Sequence, residues 1–261
     1  MARDRVVIER IEGAQIAVWT IARPEAKNAL DTSTFQELGK AIAAASTDPG
    51  LRAVVLTGEG DTFAAGGDLR ELRHATTAEH AAQLADMGRH VCEAITRLHV
   101  PVIAALPGAA IGGGAELAMA CDLRVADLRA TITFKHTRMA VTTAWGILPK
   151  LVGIVGHATA SRLLLAGHVV DASEALRMGL FDTLTENGGS VTRAIAWGLD
   201  VAQASPRAVA EMKALLREAT WPGGDLRVLE RERFIATWIS EDHREAIEAY
   251  FGSRAPRWTG R

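Results

Sequence analysis

The sequence predicts an α/β fold with a parallel sheet, and three observations support this. Short apolar runs rich in β-branched residues alternate with amphipathic stretches through the first half of the chain, as in folds whose strands are connected by helices. Hydrophobic residues make up 48% and charged residues 23% of the 261 residues, which is typical of a globular protein. After about residue 190 only helical patterns remain.

The predicted elements of the first half follow from local residue types. Capping candidates at 31–33 begin a helix whose apolar residues recur at helical spacing and which ends near 48–50. Residues 58–67 are predicted to form a loop. Strands are predicted at 15–22, 52–57, 100–106 and within 123–134, and further helices at 78–98 and 115–120.

The second part of the chain is predicted to be helical, and we divide the chain into a core at 1–195 and a helical region at 196–261. Ser205 and Ser240 are cap candidates for two of the helices. The apolar residues of the last helices exceed what short helices can bury alone, which predicts oligomer contacts. The predicted helices are 192–203, 206–219, 226–239 and 242–251, and the apolar residues are Trp238, Ile239, Ile247, Tyr250 and Phe251.

Charge and cysteine content restrict the partners and the compartment. Lys plus Arg total 29 against 31 Asp plus Glu, so we expect no nucleic acid and no membrane as partner. Cys92 and Cys121 have neither a CxxC partner nor ligand-spaced histidines, which predicts no disulfide and no metal site in a reducing compartment. The charged first ten residues lack the apolar stretch of a signal peptide, so a cytoplasmic protein is expected.

Several catalytic motifs are absent. The sequence contains no G-x-G-x-x-G after a strand, no GxxxxGK[ST], no G-x-S-x-G and no HExxH. Nicotinamide dehydrogenases, nucleotide hydrolases, serine hydrolases and zincins are therefore poor hypotheses.

Two glycine-rich segments, 63–69 and 108–117, each follow a predicted strand. Glycines let backbone N–H groups approach a ligand closely, and a helix that begins directly after them adds a partial positive charge. Two such N–H groups on one oxygen form an oxyanion hole, beside which Glu116 would be an acid–base carboxylate. Alternatively, both segments are tight turns and Glu116 only complements the helix dipole.

Together the two segments resemble the crotonase (enoyl-CoA hydratase/isomerase) superfamily. Asn28-Ala29-Leu30 matches its N-terminal signature, 63–69 its first oxyanion loop, and 107–122 its second loop with the following helix. Counterparts also exist at 166–167, 172–179 and 254–258. The resemblance implies a spiral of ββα turns with a C-terminal helical region that builds trimers, commonly paired into hexamers.

The resemblance also implies a ligand and its binding residues. Members bind acyl-CoA thioesters and stabilise an enolate-type oxyanion with two backbone N–H groups, which correspond here to Gly67 and Gly113. No metal or redox cofactor is implied, because coenzyme A is part of the substrate. The implied substrate- and CoA-binding residues are Ala64, Ala65, Gly66, Asp68, Leu69 and Gly112.

The second acid–base position departs from the family. Hydratases of the family use two glutamates, and Glu116 matches the first. Counting back from Trp145-Gly146 places His136 at the second position, whereas counting forward from Phe134 places Arg138 there. Neither residue is a carboxylate, and Thr143-Ala144 replaces the usual Pro-Gly of the loop.

Three functions follow from this departure. The first is an acyl-CoA lyase of the enoyl-CoA hydratase type, in fatty acid metabolism, in which His136 exchanges protons beside Glu116. The second is decarboxylation of a malonyl-CoA-type thioester, because 132–146 looks like the ethylmalonyl-CoA decarboxylase branch. The third is an acyl-CoA-binding subunit without catalysis, against which the presence of Glu116 argues.

Overall fold

The computed structural model describes residues 4–11, 13, 15–204, 206–220, 231, 234–236, 238–254 and 256. The described residues form ten strands: β1 (Val6–Ile11), β2 (Ile16–Ile21), β3 (Ala53–Gly58), β4 (Thr62–Ala64), β5 (Val102–Leu106), β6 (Ala109–Ile111), β7 (Leu123–Asp127), β8 (Thr131–Thr133), β9 (Val170–Asp171) and β10 (Thr183–Thr185). Two sheets result, a main sheet of six strands and a second sheet of four.

The described residues also form two short 3-10 helices, Pro24–Ala26 and Thr137–Met139, besides the following α-helices. They are α1 (Thr32–Ser46), α2 (Leu69–Leu72), α3 (Ala78–Arg97), α4 (Gly113–Ala120), α5 (Leu148–Ala166), α6 (Ala172–Met178), α7 (Ser190–Ala202), α8 (Pro206–Thr220) and α9 (Glu241–Phe251). All of the predicted helices are present except 226–239, most of which lies outside the described residues. The Ser205 cap and much of 254–258 also lie outside the described residues.

The main sheet confirms the predicted parallel arrangement. Its order is β1-β2-β3-β5-β7-β10, and all neighbours are parallel except the antiparallel pair β1 and β2. Alternate residues of β3 face different apolar clusters, with Val54 and Leu56 on one side and Ala53 and Val55 on the other. Because both faces are buried, this strand is a continuous apolar run, as parallel strands usually are.

The sequence analysis did not predict a second sheet, although its strand β8 lies within the predicted range 123–134. Its order is β4-β6-β8-β9, with β4, β6 and β8 parallel to one another. β4 lies in the segment 58–67 that we predicted to be a loop, and that prediction was wrong for residues 62–64. Three-residue strands are too short for an alternation of apolar and polar residues to reveal them.

Helix α7 crosses the predicted boundary at residue 195. Its Ala194 is buried in the same apolar cluster as Ala53 and Val55 of β3, and Gly198 approaches the side chain of Ile16 closely. The division into a core and a helical region therefore stays a prediction. None of the described helices combines the length and apolar character that crossing a bilayer requires.

Helix α8 is attached to the core through one buried lysine. Lys213 Nζ donates to the carbonyls of Ile95 and Val100 at 3.0 and 2.9 Å and to Asp122 Oδ2 at 2.7 Å. The same oxygen of Asp122 accepts from the N–H of Val102. An ammonium with three acceptors has its hydrogen-bonding capacity filled, so this contact fixes α8 at the ends of α3, α4 and β5.

The apolar residues of the last helices divide into two sets. Trp238 and Ile247 are buried within the chain itself, whereas Ile239, Tyr250 and Phe251 remain exposed. Helix α8 also exposes a set of large apolar side chains, Met212, Leu215 and Leu216. The chain therefore buries part of the apolar surface of its helices and leaves the rest uncovered.

We expect Lys213→Met to destabilise the protein by about 2–3 kcal/mol, because Asp122 and two carbonyls lose a charged donor. Urea unfolding followed by circular dichroism measures the change, with the exposed Lys40→Met as control. Equal unfolding midpoints for the two variants would contradict the assigned role of Lys213.

Candidate active site

The candidate site lies where the parallel strands β4, β6 and β8 end. Each strand is followed directly by one group of the residues singled out in the sequence: 65–67 after β4, 112–116 after β6 and His136 after β8. Because the three strands are parallel, their carboxyl ends meet at one edge of the sheet, which is where open α/β sheets place ligands. This edge brings the segments together although more than 70 residues separate the first from the last.

The buried Asn28 supports the first segment. Its Nδ2 donates to the carbonyls of Glu59 and Thr62 at 2.9 and 2.6 Å, and its Oδ1 accepts from the N–H of Arg23. The neighbouring carbonyl of Lys27 accepts from the N–H of Ala65. Hydrogen bonds of Asn28 and of the preceding Lys27 therefore hold the chain on both sides of β4.

Leu30, the last residue of the Asn-Ala-Leu signature, forms a parallel bridge with Gly67. The N–H of Leu30 donates to the Gly66 carbonyl at 2.7 Å, and its carbonyl accepts from the N–H of Asp68 at 3.1 Å. Gly67 lies between these two bonds and uses neither its own N–H nor its carbonyl in the bridge. Its role as an oxyanion donor stays a prediction.

Asp68 belongs to a buried ionic network. Its Oδ2 accepts from Arg23 Nη2 at 2.7 Å, and its Oδ1 accepts from the N–H of Arg70. Burial acts to raise the pKa of Asp68, but the hydrogen bonds from Arg23 and Arg70 outweigh it and hold the pKa below the usual value. Because both carboxylate oxygens have protein donors, the geometry gives Asp68 a supporting role, and its contact with CoA stays a prediction.

The second segment meets the first in close backbone contact. Gly66 has φ +86° and lies directly against the second segment. A Cβ on Gly66 would stand 2.9 Å from the Ile111 carbonyl oxygen and 3.1 Å from the Gly113 nitrogen. On Gly114 a Cβ would stand 2.0 Å from the Ala64 carbonyl oxygen. Any side chain at these positions would separate the segments. Helix α4 begins at Gly113, and its first N–H groups have no acceptor within the helix.

Glu116 lies in the first turn of α4, only 2% exposed. Its Oε1 accepts from the N–H groups of Ala144 and Trp145 at 3.3 and 3.0 Å. Its Oε2 lies 2.9 Å from His136 Nε2. Both oxygens of this buried carboxylate are therefore hydrogen-bonded, as burial of a charged group requires.

The structure brings His136, and not Arg138, to Glu116. His136 is nine-tenths buried, and its Nδ1 has no hydrogen-bond partner among the described residues. Arg138 is exposed and donates through Nε to the Ala166 carbonyl at the end of α5. Of the two registers that the sequence left open, counting back from Trp145-Gly146 gives the residue beside the glutamate.

Two residues of the C-terminal part, which the sequence analysis did not assign to the site, bind backbone carbonyls shortly after the site segment 65–67 and after His136. Trp238 Nε1 donates to the Ala75 carbonyl at 2.6 Å, and His243 Nδ1 lies 2.8 Å from the Met139 carbonyl oxygen. The two rings stack with centroids 4.4 Å apart. Burial lowers the pKa of His243, although its bond to Met139 opposes the shift, so its ring is neutral near pH 7 and donates to the carbonyl. No local pattern in the sequence indicates these contacts.

Within the part of the chain that the structure describes, no group of three or more His, Cys, Asp and Glu side chains is placed to hold a metal ion. What the site presents is two backbone segments rich in N–H groups and a buried carboxylate–imidazole pair. Backbone donors stabilise an oxyanion, and an imidazole beside a carboxylate transfers protons near neutral pH.

Comparisons with known proteins agree with this geometry. A family model described as enoyl-CoA hydratase/isomerase matches residues 12–261. A probable enoyl-CoA hydratase of Bacillus subtilis is 34% identical over 94% of this chain and 95% of its own length. A short-chain-enoyl-CoA hydratase of Clostridium acetobutylicum is 32% identical over 97% of each chain.

Solved structures show the same fold. An enoyl-CoA hydratase/isomerase from Xanthobacter autotrophicus superposes with a TM-score of 0.88 at 26% identity, covering 96% of this chain and 94% of that one. An enoyl-CoA hydratase from Mycobacterium avium gives 0.85 at 29% identity, covering 99% and 100%. The predicted crotonase-like α/β fold is thereby confirmed, and the chain belongs to the enoyl-CoA hydratase/isomerase family.

Proposed function

We propose that the protein catalyses the reversible hydration of a 2-enoyl-CoA thioester. The observation that carries this proposal is the direct contact of Glu116 with His136 at the start of the helix that Gly113 begins. Several relatives are named enoyl-CoA hydratases or crotonyl-CoA hydratase, which supports the same reaction.

The thioester oxygen binds the N–H groups of Gly67 and Gly113. When water adds to Cβ, the electron pair of the double bond moves toward this oxygen and produces an enolate. Each N–H donor of such a hole contributes on the order of 10²–10³ in rate. The glycines of both segments allow the backbone to approach the substrate this closely.

His136 moves the proton in this proposal. Its Nε2–H donates to Glu116, so the opposite, buried atom, Nδ1, carries a lone pair and has no hydrogen-bond partner among the described residues. Nδ1 removes a proton from water as the hydroxyl forms its bond to Cβ, and Glu116 stabilises the imidazolium. The same proton then passes from Nδ1 to Cα of the enolate, which yields a 3-hydroxyacyl-CoA.

The remaining partners follow from this reaction. Coenzyme A binds as part of the substrate along Ala64, Ala65, Gly66, Leu69 and Gly112, and no separate cofactor is needed because water, thioester and side chains supply every atom. We propose that the enzyme acts in the cytoplasm, in fatty acid metabolism.

A second candidate is decarboxylation of a 2-carboxyacyl-CoA thioester. The specific observation that favours it is the absence of a second carboxylate, since a protonated His136 attracts a substrate carboxylate that a glutamate would repel. The N–H groups of Gly67 and Gly113 would stabilise the enolate that remains after CO2 leaves. Incubation with both substrate classes and mass spectrometry of the products distinguishes the two reactions.

Glu116→Gln tests the acid–base pair with little change of shape. The amide keeps an oxygen for the two backbone donors but offers N–H groups to His136, which forces the proton onto Nδ1 and removes the base. We expect hydration of crotonyl-CoA to fall about 10²–10⁴-fold, with CoA binding retained, measured by absorbance and by calorimetry. Arg138→Ala is the control, and a Glu116→Gln variant as active as this control would refute the pair.

His136→Glu restores the two carboxylates of the family pattern at one position. If His136 holds the second acid–base site, the variant retains or raises hydration of short enoyl-CoAs, whereas His136→Ala loses most of it. Initial rates over pH 5–9 measure both variants. Wild-type rates in both variants would show that His136 is only a packing residue.

We also propose that the protein assembles as a homotrimer or homohexamer. Met212 and Leu216 are exposed on α8 and line an apolar groove of about 620 Å³ against the core, and the neighbouring Leu215 is exposed as well. A soluble protein buries such a surface most simply against copies of itself.

Leu215→Glu combined with Leu216→Glu is expected to reduce the assembly to monomers, because charges resist burial in an apolar contact. Light scattering at micromolar concentration measures the mass. Leu128→Glu, at an exposed position on a different element, serves as control. A monomeric wild-type protein would contradict the proposed assembly.

A further inference from the structure

The indole of Trp145 occupies the space between helices α3 and α4, and glycines line it on both sides. A Cβ on Gly88 of α3 would stand 2.1 Å from Trp145 Cε2, and one on Gly113 of α4 would stand 2.2 Å from Cη2. The ring therefore touches the backbone of both helices directly. On a further side it meets Phe35 edge to face, with centroids 5.4 Å apart.

The backbone of the same residue holds the acid–base carboxylate. The N–H of Trp145 donates to Glu116 Oε1 at 3.0 Å, beside the weaker bond from Ala144 at 3.3 Å. The residue is only 5% exposed, so water does not compete for this bond. Trp145 thus contacts the candidate oxyanion donor with its side chain and the carboxylate with its main chain.

We propose that Trp145 is a positioning residue that sets the Gly113 N–H and the Glu116 carboxylate relative to each other. This inference rests on the proposed function, in which both groups act on one substrate. The ring packs against the backbone of Gly113, and the N–H that orients Glu116 belongs to the same residue as the ring. A displacement of Trp145 therefore affects both groups. A displacement of about 1 Å at such a site costs on the order of 10²-fold in rate.

Direct contact with backbone distinguishes this arrangement from ordinary core packing. In an ordinary core, neighbouring side chains change rotamer and absorb a change of volume at modest cost. Here Gly88 and Gly113 offer no side chain that could adapt, and the main chain of two helices bounds the ring. A change in ring size is therefore transmitted to the backbone of the site.

Two opposing changes of volume test the proposal. Gly88→Ala adds a methyl that pushes the ring toward Gly113, and Trp145→Phe makes the ring smaller. We expect kcat for crotonyl-CoA to fall about 10²-fold in Gly88→Ala and about 10-fold in Trp145→Phe, with KM nearly unchanged. The double variant should regain activity over Gly88→Ala, because the smaller ring makes room for the methyl. Gly39→Ala, whose Cβ meets nothing within 4 Å, is the matched control.

A second measurement does not depend on turnover. Acetoacetyl-CoA ionises to an enolate that absorbs in the near ultraviolet, and donors of an oxyanion hole raise the ionised fraction of bound ligand. We expect this fraction to fall in Gly88→Ala and to recover in the double variant. A wild-type protein that hydrates no enoyl-CoA would refute the proposed function alone, and the enolate fraction would still test Trp145.

Two results would overturn the proposal. The first is a kcat and an enolate fraction within twofold of wild type in both single variants, whatever their melting temperatures. The second is a double variant no better than Gly88→Ala. Either result would reduce Trp145 to a residue that only fills volume.

Discussion

The buried carboxylate of Glu116 imposes the constraint on which the rest of the site depends. A charge removed from water is tolerated only when donors surround it. Here the donors are two backbone N–H groups at 144–145 and the imidazole of His136. They come from different parts of the chain, so α4, the turn after β8 and the 144–145 loop must reach one point together.

Two of these three parts, the turn after β8 and α4, are held by contacts of their own. The turn after β8 is attached to the end of α5, where Thr137 Oγ1 and Arg138 Nε donate to the carbonyls of Leu164 and Ala166. Pairing of β6 with β8 places α4 beside this turn. The cost of burying Glu116 is thus offset by contacts that extend well beyond its own neighbours.

The sequence predicts the scaffold better than the site. The long apolar strands and the glycine-rich segments could be predicted from the local sequence, because the residues that indicate each of them lie close together in the chain. The choice between His136 and Arg138 could not, since it depends on a 3-10 turn ending at Ala140 with φ 55°, a conformation that alanine rarely adopts. The positions of Trp145 and His243 depend on residues distant in sequence, for which no local pattern exists.

The contacts of the C-terminal part bear on when the site forms during synthesis. Trp238 binds Ala75 across 163 residues, and His243 binds Met139 across 104. Both contacts require residues 238–243, which are synthesised about 90 residues after Trp145, the residue furthest along the chain that binds Glu116. At about 5–20 residues per second, the nascent chain therefore carries the acid–base pair for several seconds before these two contacts can form.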